Sequence, residues 1–363
     1  MTRSALRPTP PNRPRPVAHV ARARSRLRPL GLWLALCAGL AAPGLAAAAG
    51  SCGGQDLMAG LAPAQSAALD AAIAGQPFAE GNRWHARKGA AEITLVGTMH
   101  VDDPRLDAPL ARLMPVLAQA DGLWLEATDE DMAALQQDMA RDPSLMFLNE
   151  GPSLLERMGP DWPRLRAEME ARGMPALIAA RLQPWYVSMV IGLPPCAMQA
   201  AGDSKGLDGR LMAAARTAGV PMHALEPRDT VFRLFDAFPV DTQVEMIRAA
   251  LPMAEQSEDQ FATLLAAYFA ESHLRLWAFS RQAALAAVPD ADRAEAERDY
   301  ALFEDAILTR RNAAWVERLT EATGDGSRAQ HLVAAFGAAH LAGPEGVLAG
   351  LAARGWQLAR EPF

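Results

Sequence analysis

The 363-residue chain carries 35 basic and 42 acidic side chains, which give it a formal net charge of −7 at neutral pH. This acidic balance argues against nucleic acid or an anionic membrane surface as its partner. The sequence contains no Walker pattern, no Gly-x-Gly-x-x-Gly and no His-Glu-x-x-His. Nucleotide cofactors and the helical zinc-protease motif therefore lack support.

Residues 1–49 are typical of a secretory signal peptide. Eight arginines open the segment, an apolar run follows from Leu30 to Leu40, and alanines at its end provide an Ala-x-Ala cleavage site. A transmembrane anchor is the alternative, but the run is short and is followed by proline and glycine. Loss of the arginines leaves 27 basic against 42 acidic residues, a net charge of −15. We expect an exported protein, periplasmic or extracellular, with no transmembrane segment after cleavage and with residues 50–363 as a single domain.

Two cysteines remain in that domain, Cys52 and Cys196. An even pair in an exported protein favours a disulfide between the N-terminal segment and the loop that contains Cys196. Two free thiols are one alternative, and lipid modification of Cys52 is another. Lipid modification is disfavoured because no large aliphatic residue stands three places before Cys52.

The first part of the domain is predicted to alternate helices and strands. One or two short helices fit residues 53–80, an edge strand fits Trp84 to Arg87, and a helix fits about residues 106–120. Asp102 and Asp103 precede that helix and are expected to cap it, with contact to a metal as the alternative.

Two buried-strand patterns each end in Gly-x-x-His. Ile93 to Val96 lead into one motif and Leu332 to Phe336 into the other, so His100 and His340 each come just after a strand. Glu126 follows a third strand in the same way. Ligands bind to open α/β sheets at the carboxyl ends of the strands. The sequence therefore predicts that two imidazoles and a carboxylate meet there and hold a divalent metal.

Residues 129–200 differ from the flanking sequence because methionines are scattered among leucines and alanines at helical spacing. The capping box from Ser153 to Glu156 predicts the start of a helix. We interpret about residues 129–200 as a helical insertion that forms a lid over the sheet. Its methionines are expected to pack in a core, and an adaptable peptide groove is the alternative.

The second half begins with Asp208, which is predicted to be the N-cap of a helix. The strand that follows ends at Glu226, as an earlier strand ends at Glu126, so Glu226 is a candidate site residue with an ordinary salt bridge as the alternative. Residues 230–320 have helical spacing, and a strand–helix–strand unit ends the chain. Together the elements predict an α/β fold with a largely parallel central sheet, flanking helices and the helical lid.

Five short patterns occur along the chain after Cys52. They are Gly97-Thr98-Met99-His100, Leu125-Glu126, Gly206-Leu207-Asp208 with the later Leu225-Glu226, Arg311-Asn312, and Gly337-Ala338-Ala339-His340 with the following Leu341-Ala342-Gly343. Together they resemble the TraB/GumN family (TraB/PrgY/GumN), which is related to the Tiki metalloproteases. The resemblance runs to the C-terminus and implies a metal-dependent protease that uses both Gly-x-x-His histidines and a glutamate.

The resemblance also selects Arg311, rather than its neighbour, as the arginine that turns inward, with Asn312 beside it. An arginine near a metal site could stabilise a developing oxyanion, and an ordinary ion pair is the alternative.

The predicted function is metal-dependent hydrolysis of a peptide or protein substrate. His100 and His340 hold the metal, and Glu126 is either a third ligand or the general base. Nitrogen and oxygen ligands suit zinc, manganese or cobalt. A non-catalytic protein that sequesters a peptide signal is the alternative function, and the sequence sets neither the substrate nor the oligomeric state.

Overall fold

The structure is a computed structural model and describes residues 52–200, 206–236, 238–286 and 288–363. The predicted signal peptide, residues 1–49, lies outside the described residues. Within the described ranges, no helix has the length and apolar character needed to span a bilayer.

A six-stranded sheet lies at the centre of the domain. Its strands are β1 (Arg83–Lys88), β2 (Ala91–Thr98), β3 (Gly122–Leu125), β4 (Met222–Ala224), β5 (Gln330–Gly337) and β6 (Gln357–Arg360). They are ordered β4-β3-β5-β2-β1-β6. The first four in this order pair in parallel, whereas β1 is antiparallel to both of its neighbours. This sheet confirms the predicted α/β fold.

The two motif strands, β2 and β5, lie side by side in the middle of the sheet. Both are apolar and buried along most of their length, as expected for parallel strands that are covered on both faces. Thr98 at the end of β2 pairs with Gly337 at the end of β5. Both Gly-x-x-His motifs therefore leave the sheet at the same level.

The prediction that Trp84 to Arg87 form an edge strand is wrong. Strand β6 pairs along the outer side of β1, with Trp84 opposite Arg360 and Arg87 opposite Gln357. This pairing joins the two ends of the domain, so no local pattern in either segment reveals it.

Sixteen helices surround the sheet within the described residues. The first eight are α1 (Pro63–Ile73), α2 (Asp107–Leu117), α3 (Asp129–Arg141), α4 (Leu154–Met158), α5 (Trp162–Ala171), α6 (Ala176–Ala179), α7 (Pro184–Gly192) and α8 (Pro195–Ala200). The others are α9 (Leu207–Ala218), α10 (Thr230–Asp236), α11 (Val240–Ala254), α12 (Ser257–Phe269), α13 (His273–Ala286), α14 (Arg293–Glu304), α15 (Arg310–Thr323) and α16 (Val347–Ala353).

Two buried clusters attach helices to the sheet. In one of them, Trp315 and Leu319 of α15 and Leu348 of α16 pack on the strands. In the other, Leu113 of α2 and Leu211 of α9 do so. Each such side chain contributes about 1.5–3 kcal/mol by leaving water, and this packing fixes the strand ends that carry the site.

Helices α3 to α8 occupy the region predicted as a helical insertion. The hydroxyl of Ser153 accepts a hydrogen bond from the backbone N–H of Glu156 at the start of α4, as the capping box predicted. Met158 and Met169 are fully buried in a separate core. This core also contains residues of α10 and α11, so the helical layer extends beyond residue 200.

Cys52 and Cys196 form the predicted disulfide, with their Cα atoms 5.5 Å apart. The bridge attaches the first described residue to α8.

Candidate active site

Four parallel strands end at one edge of the sheet, and each is followed by a predicted site residue. His100 lies two residues beyond β2, Glu126 directly after β3, Glu226 two residues beyond β4, and His340 three residues beyond β5. This is the edge at which open α/β sheets bind ligands.

The two histidines and Glu126 converge on Gly337. A side-chain carbon at Gly337 would stand 3.3 Å from Oε1 of Glu126, 3.6 Å from Cδ2 of His340 and 3.8 Å from Nε2 of His100. Gly337 also donates its backbone N–H to Oε1 of Glu126 at 2.7 Å. Its φ of −49° suits any residue, so the glycine provides space between the three groups rather than a special turn.

His100 is held from outside its motif by Asp208. Its Nδ1–H donates to Oδ2 of Asp208 at 2.9 Å, and the hydroxyl of Thr98 donates to Oδ1 of the same carboxylate. Burial alone would lower the pKa of His100, but the charge and hydrogen bond of Asp208, together with Glu126, raise it to about 9. Nε2 of His100 has no hydrogen-bond partner among the described residues.

Asp208 is not the N-cap of its helix, and that prediction is wrong. Gly206 is the N-cap of α9, and Asp208 lies in the first turn. A side-chain carbon at Gly206 would stand 2.1 Å from the carbonyl oxygen of Met99, which also accepts the backbone N–H of Leu207 at 3.0 Å. Only glycine allows α9 to start so close to the first motif, which brings Asp208 to His100.

His340 has an uncharged partner and lies deeper. Its Nδ1–H donates to Oδ1 of Asn312 at 2.6 Å, and the amide of Asn312 in turn donates to the carbonyl of Glu345 at 2.8 Å. The ring lies 4.3 Å from that of Trp315. Burial, followed by the charge of Arg311, lowers the pKa of His340 to about 3. The imidazole is therefore neutral at physiological pH.

Arg311 joins the two glutamates. It donates through Nη2 to Oε2 of Glu126 at 2.6 Å and through Nε and Nη2 to both oxygens of Glu226 at 2.8 and 2.7 Å. Its Nη1 lies 3.4 Å from Nε2 of His340. Arg311 thus turns inward as the resemblance implied, and Glu226 faces the same cleft as Glu126.

The two carboxylates have opposite pKa shifts. Burial would raise the pKa of Glu126, but Arg311, with further help from His340 and His100, lowers it to about 2. Burial raises the pKa of Glu226 despite its hydrogen bonds to Arg311. Glu126 is therefore the more firmly ionised of the pair.

The donor types and charges suit a divalent cation. With His340 neutral and His100 charged, three carboxylates (Asp208, Glu126 and Glu226) face one imidazolium and one guanidinium, which leaves negative charge in excess. Nδ1 of each histidine donates to a side-chain oxygen, of Asp208 or of Asn312. Histidines that bind a metal through one ring nitrogen usually donate from the other nitrogen in this way. As the side chains stand, however, no group of three or more His, Cys, Asp or Glu within the described ranges is spaced to enclose an ion.

Asp103 follows the capping interpretation, whereas Asp102 forms an ion pair with Arg210 instead. Asp103 accepts the backbone N–H of Arg105 at the start of a 3₁₀ turn, and Asp102 accepts from Nε of Arg210 at 3.1 Å. Both side chains stabilise the loop that follows His100.

The sequence also contains one Gly-x-Ser-x-Gly pattern, from Gly202 to Gly206, which sequence analysis missed. Such a pattern activates serine when it joins a strand to a helix. Here helix α8 precedes it and α9 follows it, and residues 201–205 lie outside the described ranges. It therefore adds no support for a serine nucleophile.

A comparison with protein families gives one match, to the TraB/PrgY/gumN family, over residues 82–360. Searches of curated proteins and of solved structures give no match. The matched region includes the whole sheet and every residue of the cleft described above. On this evidence, the chain belongs to the TraB/PrgY/gumN family.

Proposed function

We propose that this protein is an exported, metal-dependent hydrolase of peptide or amide bonds. The observation that carries the proposal is the convergence of His100, Glu126 and His340 on the open space at Gly337. Each residue comes from the carboxyl end of a different parallel strand. Such an arrangement delivers nitrogen and oxygen donors to one point from a rigid scaffold.

His100 and His340 would hold the metal through Nε2, because Asp208 and Asn312 already occupy their Nδ1 atoms. Zinc, manganese and cobalt all suit this donor set. When bound, such an ion supplies Lewis acidity that polarises a substrate carbonyl and acidifies water. Glu126 is either a third donor or the general base. Its pKa of about 2 keeps the carboxylate ionised, as a donor to a cation requires.

Arg311 supplies fixed positive charge next to these groups. Glu226 holds the guanidinium through two hydrogen bonds, and Trp315 supports Glu226 by donating its indole N–H at 3.2 Å. A preorganised cation in a buried cleft stabilises negative charge as it develops on a substrate oxygen. Asn312 acts through His340 by fixing its orientation.

Export is supported by the disulfide between Cys52 and Cys196, because such bonds persist in oxidising compartments. Mass spectrometry of protein recovered from cells should find an N-terminus between Ala48 and Cys52.

The contact between Arg311 and Glu126 favours a second candidate function. Arg311 holds Oε2 of Glu126 at 2.6 Å and lies beside His340, so the carboxylate of Glu126 already has a cationic partner in the absence of an ion. A protein that binds and sequesters a peptide without cleaving it would use the cleft in this state.

Metal analysis combined with peptide cleavage separates the two functions. The enzyme predicts about one divalent ion per chain and cleavage of members of a peptide library that a chelator stops. Glu126→Gln should lower cleavage at least about 10²-fold. Glu130→Gln, which changes an exposed glutamate at the start of α3, is the matched control. Tight peptide binding without turnover, or cleavage that resists chelation, would contradict the metal-dependent enzyme.

A further inference from the structure

A cavity lies at the amino ends of the parallel strands, on the opposite side of the sheet from the candidate active site at their carboxyl ends. It has a volume of about 610 Å³, within the range of small-molecule pockets. Gly122 at the start of β3 and Leu332 near the start of β5 contribute to its wall, and Ala322 of α15 contributes from above. None of its residues takes part in the function proposed above.

Two stacked aromatic rings form part of the cavity wall. The rings of Trp124 and His223 lie 4.8 Å apart and are inclined by 28°. A side-chain carbon at Gly122 would stand only 3.3 Å from Cδ2 of His223, so the glycine leaves the imidazole room to lie along the indole. His223 is exposed, and this aromatic surface is therefore accessible to a ligand.

Polar groups that have no hydrogen-bond partner among the described residues surround the two rings. The side chains of Arg318, Glu321 and Gln330 make no hydrogen bond or ion pair with any described residue, and neither does the indole N–H of Trp124. Asp121 uses one oxygen to accept the backbone N–H of His331 at 2.8 Å. The rim thus offers both donors and acceptors.

We propose that this cavity binds one pyranose ring of a neutral carbohydrate. Each sugar hydroxyl both donates and accepts, which matches the mixed rim, and the C–H face of the ring packs on aromatic side chains. The rim carries charges of both signs, from Asp121, Glu321 and Arg318, so it offers partners to hydroxyls that both donate and accept. An apolar ligand would leave these polar groups without partners, which is costly.

Ligand-observed NMR with glucose, galactose, mannose and N-acetylglucosamine tests the proposal. At least one sugar should bind saturably, with a Kd on the order of 1 mM because a single ring makes few contacts. His223→Ala and Glu321→Gln, both at exposed positions, should each weaken binding at least about fivefold. Glu317→Gln, one turn earlier on α15 and outside the cavity, should bind as the wild type does.

Three results would overturn the proposal. The first is that no sugar binds saturably to the folded wild-type protein. The second is that His223→Ala and Glu321→Gln leave the affinity unchanged, which would place the sugar elsewhere. The third is that an aromatic dipeptide displaces the sugar and loses affinity in both variants, which would make the cavity a peptide site. Circular dichroism of each variant confirms that folding is retained.

Discussion

His100 and His340 belong to the same four-residue pattern, but their surroundings give them opposite electrostatic properties. The charge of Asp208 raises the pKa of His100 to about 9, whereas burial and Arg311 lower that of His340 to about 3. The side chain of His100 is 23% exposed, and His340 is only 4% exposed. The motif positions each imidazole, and residues from other parts of the chain set its charge.

The largest expected effect comes from removing either ring. His100→Ala and His340→Ala should each abolish metal retention and lower peptide cleavage at least about 10²-fold. His340→Ala should also lower the free energy of unfolding, by about 1–3 kcal/mol at any pH near or above neutrality, because it leaves Oδ1 of Asn312 buried without its donor. His100→Ala should lower it through loss of the charged pair with Asp208, and this loss should disappear as the pH rises above about 9, the pKa of His100. Metal analysis, cleavage assays and urea unfolding measure these quantities. The same dependence of the stability loss on pH in both variants would contradict the comparison.

His273 is a buried histidine outside the cleft, and its pKa shows the effect of burial without neighbouring charges. His273 donates to Oδ1 of Asn82 and lies 5.8 Å from the ring of Tyr268, and burial lowers its pKa to about 4. The unfolded chain takes up this proton near pH 6.5 and the folded chain only near pH 4, so the contribution to stability is complete above pH 6.5. As the pH falls from 6.5 to 4, up to about 3 kcal/mol should be lost.

Urea unfolding between pH 4 and 7 measures this loss. His273→Gln, which keeps a donor for Asn82, should show a shallower dependence of stability on pH than the wild type. The same slope in both proteins would show that His273 does not remain neutral in the folded state.

The role of Asp208, which holds His100, can be tested while both histidines are kept. Asp208→Asn removes the charge behind His100 but keeps the size of the side chain, and it should lower metal affinity by about 10- to 100-fold. Asp102→Asn, which changes a nearby carboxylate that contacts Arg210 instead, is the control. Metal titration distinguishes the two variants, and an equal loss of affinity would exclude a specific role for Asp208.

The motif glycines provide the smallest and most local test. A carbon at Gly97 would stand 2.7 Å from Leu341 and 2.9 Å from Ala338, so Gly97→Ala should cost about 1–3 kcal/mol of stability by overpacking. A carbon at Gly337 would enter the space between the three site residues. Gly337→Ala should therefore lower cleavage more than stability. Thermal unfolding and cleavage assays compare the variants, and the reverse pattern would contradict these roles.

The sequence was sufficient to place the strand ends. Short apolar runs bounded by glycine predict buried strands, and parallel strands bring His100, Glu126 and His340 to one edge. The sequence pattern could not predict which arginine turns inward, because helical spacing does not distinguish Arg310 from the adjacent Arg311. Arg310 is 72% exposed and Arg311 is 12% exposed, and only the family resemblance selected the second.

Contacts between distant segments explain the errors. Asp208 contacts His100 across 108 residues, and the capping rule that misassigned Asp208 considers only its own helix. The sequence did contain a related signal, since Gly206 stands where any larger residue would meet the first motif. The pairing of β6 with β1 likewise depends on the closed sheet rather than on either segment.

The position of β5 in the sheet sets the order in which the domain can assemble during synthesis. β5 ends at Gly337 and is the strand that joins β2 to β3, so before β5 is made only two separate strand pairs can form, β1 with β2 and β3 with β4. A chain synthesised as far as Thr309 contains every flanking helix before α15 but no continuous sheet. Domains whose strands pair across long stretches of sequence fold slowly and expose apolar surface until those pairs form. A product that stops before Gly337 lacks the second histidine, and one that stops before Gln330 also lacks the strand that lies between β2 and β3 and so brings the first histidine to Glu126.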